Sequence, residues 1–544
     1  MAVITVNKFS GVSPMTPPRY LGNEAAQTAL NCPVWKGSLQ PIKGAQALTP
    51  SPLTKSGNIK SIYRFDQSQT NQLNYWFHWT TDVDVVQGFI AGDTTERTYY
   101  TGDGNPKVTN ATMALTGGGN LYPIASYDIG VPKPTGTFTT AKTGTANANT
   151  TAETRVYTFT YVNSFGEEST PYAETDMSPS TEDVYPGESV VVTMPTGTIN
   201  NVNVTKKRIY RSASGTANTS YFFVAEVTLA TATYTDSLDG DDLNEELPSL
   251  TWVQPPTTLK GLVGMPNGVM AGFSGNDVYF SEPFRPFAWP TQYVQTVGYP
   301  VVGLGVIDTT VVVLTKGRPY FIQGSHPDSS VMVEADVNQA CISKRSIVSM
   351  NNNVFFASPD GVVALSPGGS SIVTQSLFDK ETWQAQSPDD LVACMYESQY
   401  VGFFDATSGN GGFVYDMKQK TWNFHNVYVT GAYNDLKNDA LYIIQNNELS
   451  KWDSGTDLSY TWKSKKYTFP EPKAFSCYRV EAEAYPVTMK IYKDSSAIVN
   501  LSVTDGSLRR LPPGLGTTWE FQLEGDKEVY NVQLAQTPQE LNQG

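Results

Sequence analysis

Three histidines, His78, His326 and His425, stand in a chain of 544 residues, and each is alone in its neighbourhood. A histidine acts as a general base only with a nucleophile and an orienting group within hydrogen-bond reach, and no local spacing supplies that arrangement. His78 lies in the aromatic run Trp76 to Trp79 and is expected in a core or interface. The nearest approach to Gly-x-Ser-x-Gly, Gly272-Phe-Ser-Gly-Asn276, ends in asparagine with no helical pattern after it, so it reads as a hairpin turn. Gly102-Asp-Gly-Asn-Pro-Lys107 lacks the Gly-Lys-Ser/Thr ending of a phosphate loop, and Pro106 removes an amide such a loop would use. The reading is a non-enzyme with no catalytic, cofactor-binding or metal residue.

The acidic cluster Asp236, Asp239, Asp241, Asp242, Glu245 and Glu246 is the best candidate for calcium, which takes several carboxylate oxygens. Its order is not that of an EF-hand, and a solvated linker is the favoured reading. Glycosidase carboxylates are defined by their separation in space, which a chain does not reveal. Cys32, Cys341, Cys394 and Cys477 form no C-x-x-C pair, so they are expected as buried free thiols. Lys206-Lys-Arg208 and Lys463, Lys465 and Lys466 lie in or beside expected strands, where lysines commonly guard sheet edges.

Composition says what must position these residues. Charged residues are 16% against an average of ~25%, and the 44 glycines and 34 prolines favour short strands and tight turns. The 37 basic and 52 acidic residues leave a net charge of −15. That balance argues against binding DNA by neutralising its phosphates. The most apolar stretch, Val301 to Leu314, is broken by Asp308, Thr309 and Thr310 and falls short of the ~20 residues of a membrane helix. No membrane insertion is expected.

Period-two alternation, as in Arg155 to Tyr161 and Arg479 to Tyr485, marks an all-β protein. In the second half, two strands joined by a turn recur around Val269, Val311, Val354, Tyr400 and Leu441, roughly 41 to 46 residues apart. A repeat of ~40–50 residues with hairpin turns is the spacing of a β-propeller blade. Tyr75 to Trp79 and Arg97 to Thr101 read as two strands of one further blade, giving about six. Residues 131–250 then form a linker, from Val131 to Thr151, and an inserted sandwich that resembles a fibronectin type III domain. The full division is an extended N-terminal segment (1–58), a first stretch of propeller (59–130), the linker and inserted β-sandwich (131–250), the remaining stretch of propeller (251–455) and a C-terminal β-sandwich (456–544).

The run Asn276-Asp-Val-Tyr-Phe-Ser-Glu-Pro-Phe-Arg-Pro-Phe-Ala-Trp-Pro290 fits no ordinary enzyme motif. Together with Tyr299 to Gly305, Asn338 to Ser346, Ala357 to Gly361, Trp462 to Lys466 and the opening Asn31 to Leu39, it resembles tail nozzle (tail tubular) proteins of short-tailed bacteriophages. The resemblance is strongest over residues 255–412. It implies a virion structural protein, made in the host cytoplasm and placed in the tail. There a homo-oligomeric ring, usually a hexamer, sits below the portal and its adaptor. Such a ring carries tail fibres or tailspikes and encloses the channel through which genome DNA is ejected without specific binding. An acidic wall suits that role, because it repels phosphate. Trp35, Phe284, Phe287 and Trp289 are the candidate interface or structural residues. Two alternatives stay open: a phage receptor protein that binds or degrades host glycans, and a cell-surface adhesion protein.

Overall fold

The computed structural model describes residues 3–65, 75–90, 92–117, 119–147, 149–173, 180–213, 220–404 and 411–542. Almost every element is a strand, and among the described residues no helix is long and apolar enough to cross a membrane. The architecture is a β-propeller carrying an inserted β-sandwich and a C-terminal β-sandwich.

Among the described residues, seven small antiparallel sheets make up the propeller. The first is the pair Ser61–Arg64 and Trp76–Trp79, and the second starts at Asp84–Gln87 and ends at Tyr127–Asp128. Three four-stranded sheets begin at Lys260–Gly264, Val301–Ile307 and Val348–Met350, and the sixth blade, Val392–Tyr396 through Thr421–His425, is the first four strands of a ten-stranded sheet. The seventh runs from Gly431–Asp435 to Glu448–Lys451 and takes its outer strand, Gln46–Ala47, from the N-terminal segment. Each neighbouring pair of sheets shares an apolar layer. Tyr99 packs with Leu262 between the second and third, and Val312 with Val354 between the fourth and fifth. The series returns to its start, where Ile62 and Trp76 pack against Tyr442 and Ile444 of the seventh sheet. Trp79 packs against Tyr100 of the second, with ring centroids 5.3 Å apart. The Tyr75 and Arg97 segments, expected in one blade, therefore belong to two.

Tight hairpins make these blades possible. In Asn351-Asn352, Glu397-Ser398 and Asn446-Asn447, and in Asp494-Ser495 of the C-terminal sandwich, both turn residues have positive φ. That conformation matches the twist of paired strands, and asparagine tolerates it best.

The insertion packs a three-stranded sheet (Thr139–Gly144, Glu188–Thr193, Thr233–Asp236) on a four-stranded one (Thr181–Val184, Glu153–Asn163, Val204–Ser212, Tyr221–Thr228). Its core includes Phe138, Tyr157, Phe159, Val190 and Ile209. The stretch read as linker thus contributes a strand, Thr139–Gly144. That strand is polar because it lies at a sheet edge with most of its side chains in solvent. Asp236, read as part of a solvated cluster, is fully buried: it pairs with Arg211 at 2.6 Å and accepts the Tyr157 hydroxyl at 2.7 Å.

Lys206, Lys207, Arg208 and Lys463 do not sit at edges either, because Val204–Ser212 and Tyr460–Ser464 are both central strands, whereas Lys465 and Lys466 lead into the edge strand Tyr467–Lys473. Arg208 pairs with Glu168 and Glu226, and Lys463 with Glu520. Lys207 is buried and donates to the Thr231 carbonyl at 2.8 Å, with burial pulling its pKa down to about 8.

The C-terminal sandwich incorporates the N-terminal segment. Val3–Val6 pairs with Val529–Ala535, and Ala26–Leu30 runs between Tyr460–Ser464 and Thr421–His425 of the sixth propeller sheet. Ile4, Val6, Phe9 and Ala29 are buried in the same core as Trp462, Trp519 and Phe521. Residues read as simply extended are three strands laid into three different sheets.

Candidate functional site

The three histidines stay apart. His78 is fully buried, with Nδ1 facing the Trp76 carbonyl at 2.9 Å and Nε2 accepting the amides of Thr54 and Lys55 at 3.1 Å. Those amide contacts fix the neutral ring, and burial drops its pKa to about 4. His326 accepts the Asp328 amide at the start of a 3-10 turn. His425 is buried between Phe403 and Trp452, where burial likewise lowers its pKa to about 4. All four cysteines are buried free thiols, and burial raises the pKa of each.

Residues 281–290 form a compact crossover within the third sheet, from its third strand, Asp277–Phe280, to its fourth, Gln295–Thr296. Ser281 exchanges hydrogen bonds with the Met270 backbone, and Glu282 and Ala288 bond across the turn. Trp289 is buried and donates Nε1–H to the Pro286 carbonyl at 2.9 Å, and Phe287 packs edge-on against Trp252 at 5.6 Å. Phe284 differs: it is 57% exposed and its backbone is left-handed, with φ of 57°. Its ring lies over Gly268, where a Cβ would come within 2.6 Å of it. So Trp289 and Phe287 close the crossover, whereas Phe284 is held out to solvent. Trp35 is the middle residue of the 3-10 turn Val34–Lys36, and its side chain lies outside those described.

A cleft of about 340 Å³ opens where the N-terminal segment, the last two propeller sheets and the C-terminal sandwich meet. Glu397, Asp453, Asp457, Glu483, Asp526 and Glu528 face Lys36, Lys43 and Lys527 around it, with Trp452 and Tyr396 in its wall. Burial holds the Asp453 carboxyl above its ordinary range although it accepts the Lys43 amide at 2.9 Å. Glu528 is tied to Gln40 at 2.7 Å. Asp453 and Glu528 thus tie the N-terminal segment to the propeller and the C-terminal sandwich, and among the described residues no group of His, Cys, Asp and Glu is arranged to hold a metal. The cleft is invisible in local sequence because its walls come from segments hundreds of residues apart.

The propeller axis is pinned by side chains. Lys344 reaches Asp84 at 2.7 Å and Asp82 at 3.1 Å, and Asp84 also accepts the Gly261 amide at 3.1 Å. Burial alone would lower the Lys344 pKa, but the two carboxylates hold it above its ordinary value. Arg345 donates to the carbonyls of Lys60 and Thr430. Two adjacent side chains thereby reach the second sheet and the residues that lead into the first and seventh, and narrow this end of the axis to a cavity of about 190 Å³.

No family model matches the chain, and no curated protein does. Among solved structures, the chain is similar over 48% of its length to 83% of BBS1N, from a complex with ARL6DN, at 11% identity and a TM-score of 0.26. It is similar over 54% of its length to 91% of BamB from Moraxella catarrhalis, at 13% identity and a TM-score of 0.25. Likenesses this slight carry no argument, so the account of the fold rests on the chain's own sheets.

Proposed function

We propose that this chain is a structural protein of a phage tail, a nozzle subunit that works as one wall segment of a homo-oligomeric ring, taken as a hexamer, enclosing the DNA channel. The observation that carries the reading is the N-terminal segment, which supplies a strand to the seventh propeller sheet and two to the C-terminal sandwich. A tie of that kind makes propeller and sandwich one stiff body, which a pressure-bearing wall requires and a flexible adhesion chain does not. Two further features agree with it. With the propeller axis pinned by Lys344 and Arg345, DNA would run between copies rather than through one. The net charge of −15 disfavours phosphate sticking to the wall. Phe284, Phe287 and Trp289 are then one crossover, of which Phe284 alone is offered to a neighbour.

The test is localisation by electron microscopy of particles containing this chain, with an antibody or a density tag on an exposed loop. A ring at the capsid vertex below the portal and adaptor is the expected result. Finding the chain as an outer trimeric fibre with no surface on the channel would overturn the reading.

A further inference from the structure

We propose that the axial cavity beside Arg345 is a binding site for a small monocarboxylate with a short aliphatic tail, its carboxylate paired with the Arg345 guanidinium. The inference is independent of the ring reading above and holds for the single chain.

Arg345 is half-buried, and its two hydrogen bonds, to the carbonyls of Lys60 and Thr430, both leave from Nη2. The N–H donors on Nε and Nη1 have no protein partner among the described residues, and no carboxylate there touches the guanidinium. Seven other arginines are buried or half-buried. Each of them lies within 3.6 Å of a carboxylate, from Arg211 on Asp236 in the insertion to Arg479 on Glu481 in the C-terminal sandwich. Arginines drawn out of water in this fold thus find an acid, as buried charges generally do, and Arg345 is the exception. Burial lowers its pKa despite the field of Asp82, whereas Arg208, against its own burial, is raised by Glu226 and Glu168.

The cavity itself selects the ligand. Lys60, Lys344 and Arg345 stand against Asp82 and Asp84 around it, which leaves one positive charge over in a chain whose net charge is −15. Both aspartates are committed to Lys344, at 3.1 and 2.7 Å, so neither serves Arg345. A guanidinium presents a planar fork that a carboxylate fits. Ile62, Ile347, Val392 and Ala432 supply apolar wall, which suits an aliphatic tail. Apolar walls with one convergent charged group are the usual form of a small-molecule site, and about 190 Å³ falls below the ~300–1,000 Å³ of sites for drug-sized ligands. The ligand is a monoanion because a second negative charge would meet Asp82 and Asp84.

Butyrate titrated into the full-length protein tests this, read by saturation-transfer NMR in a buffer free of other carboxylates. Saturable binding in the millimolar range is expected. Acetate should bind more weakly for want of a tail, and succinate and phosphate should fail to displace butyrate. Arg345→Gln removes the charge but keeps an N–H donor for the backbone carbonyls, and it should weaken butyrate about tenfold or more, the loss of a hydrogen bond to a charged group. Ala432→Leu leaves Arg345 in place and fills the cavity, and it should abolish the signal. Thermal melts show which variant keeps the fold, and either one that does carries the comparison. No saturable butyrate signal in the native protein, unchanged affinity in either folded variant, or displacement by phosphate as effective as by acetate would overturn the proposal. None of these results depends on where the chain sits in a particle, so the nozzle reading stands or falls separately.

Discussion

Phe9→Ala should release the N-terminal segment without unfolding the propeller. Phe9 is fully buried and meets the Trp462 ring edge-on with centroids 5.0 Å apart, while Trp462 Nε1–H donates to the Ser10 carbonyl at 3.1 Å. Truncating a buried phenylalanine costs about 3–5 kcal/mol, of which the edge-to-face pair accounts for ~0.5–1.5. The loss falls on a segment able to open as a unit, so the opening equilibrium of that segment moves rather than the global one. At about 1.4 kcal/mol per tenfold, amide exchange in Val3–Val6 and Ala26–Leu30 should quicken by roughly two to three and a half orders of magnitude. Exchange in Thr98–Thr101, within the second propeller sheet, should stay as it was. Hydrogen exchange read by mass spectrometry separates these peptides. Acceleration below tenfold in both N-terminal strands, or equal acceleration in all three, would refute the idea that this segment is a separable tie.

Gly11→Ala should also dislodge the segment, because a Cβ there would stand 2.1 Å from the Trp422 carbonyl oxygen, backbone that cannot swing aside; faster proteolysis near residue 11 is the readout. Arg211→Met should leave Asp236 buried beside Tyr157 with only the more distant Arg155, at 3.9 Å, as its cation and cost the insertion about 3–5 kcal/mol, lowering its calorimetric midpoint by ten degrees or more at ~4–8 °C per kcal/mol for a domain of this size. Arg211→Met combined with Asp236→Leu should recover most of that loss. His425 titrates near 4 in the fold and at its ordinary 6.5 when unfolded. The unfolded chain therefore gains the proton first, and this residue subtracts about 1.4 kcal/mol per pH unit as pH falls from 6.5 toward 4, with no effect above. His425→Phe should flatten that limb of a urea-midpoint profile, and an unchanged slope would refute the assignment.

The blades are legible in the sequence because each is local. Strand, two-residue turn and strand lie within some fifteen residues, as in Ala440–Gln445 and Glu448–Lys451 around Asn446-Asn447. Glu397-Ser398 takes the same turn without its usual residues, so the sheet around it dictates a conformation that the sequence does not advertise. The N-terminal segment is not legible, since Leu30 pairs with Phe424 and Val6 with Val532, and nothing near either partner hints at the other. Thr139–Gly144 escapes notice for its polarity, which at a sheet edge carries no penalty. For the cleft, Asp453, Lys36 and Glu528 are readable only as scattered charges. The crossover is conspicuous by composition, but which of its aromatics faces solvent depends on the left-handed backbone at Phe284.

The pairing of Val3–Val6 with Val529–Ala535 also sets a timetable for synthesis. The strand that Val3–Val6 needs leaves the ribosome more than five hundred residues later, which at ~5–20 residues per second is some tens of seconds. Throughout that interval Ile4, Val6 and Phe9 have no core to enter, and the seventh blade waits with the outer strand Gln46–Ala47 already made. Contacts so distant along the chain form late and slowly. Translation products that stop short of Val529–Ala535 should accordingly be the species that holding chaperones retain, with the chain released only once that strand has docked.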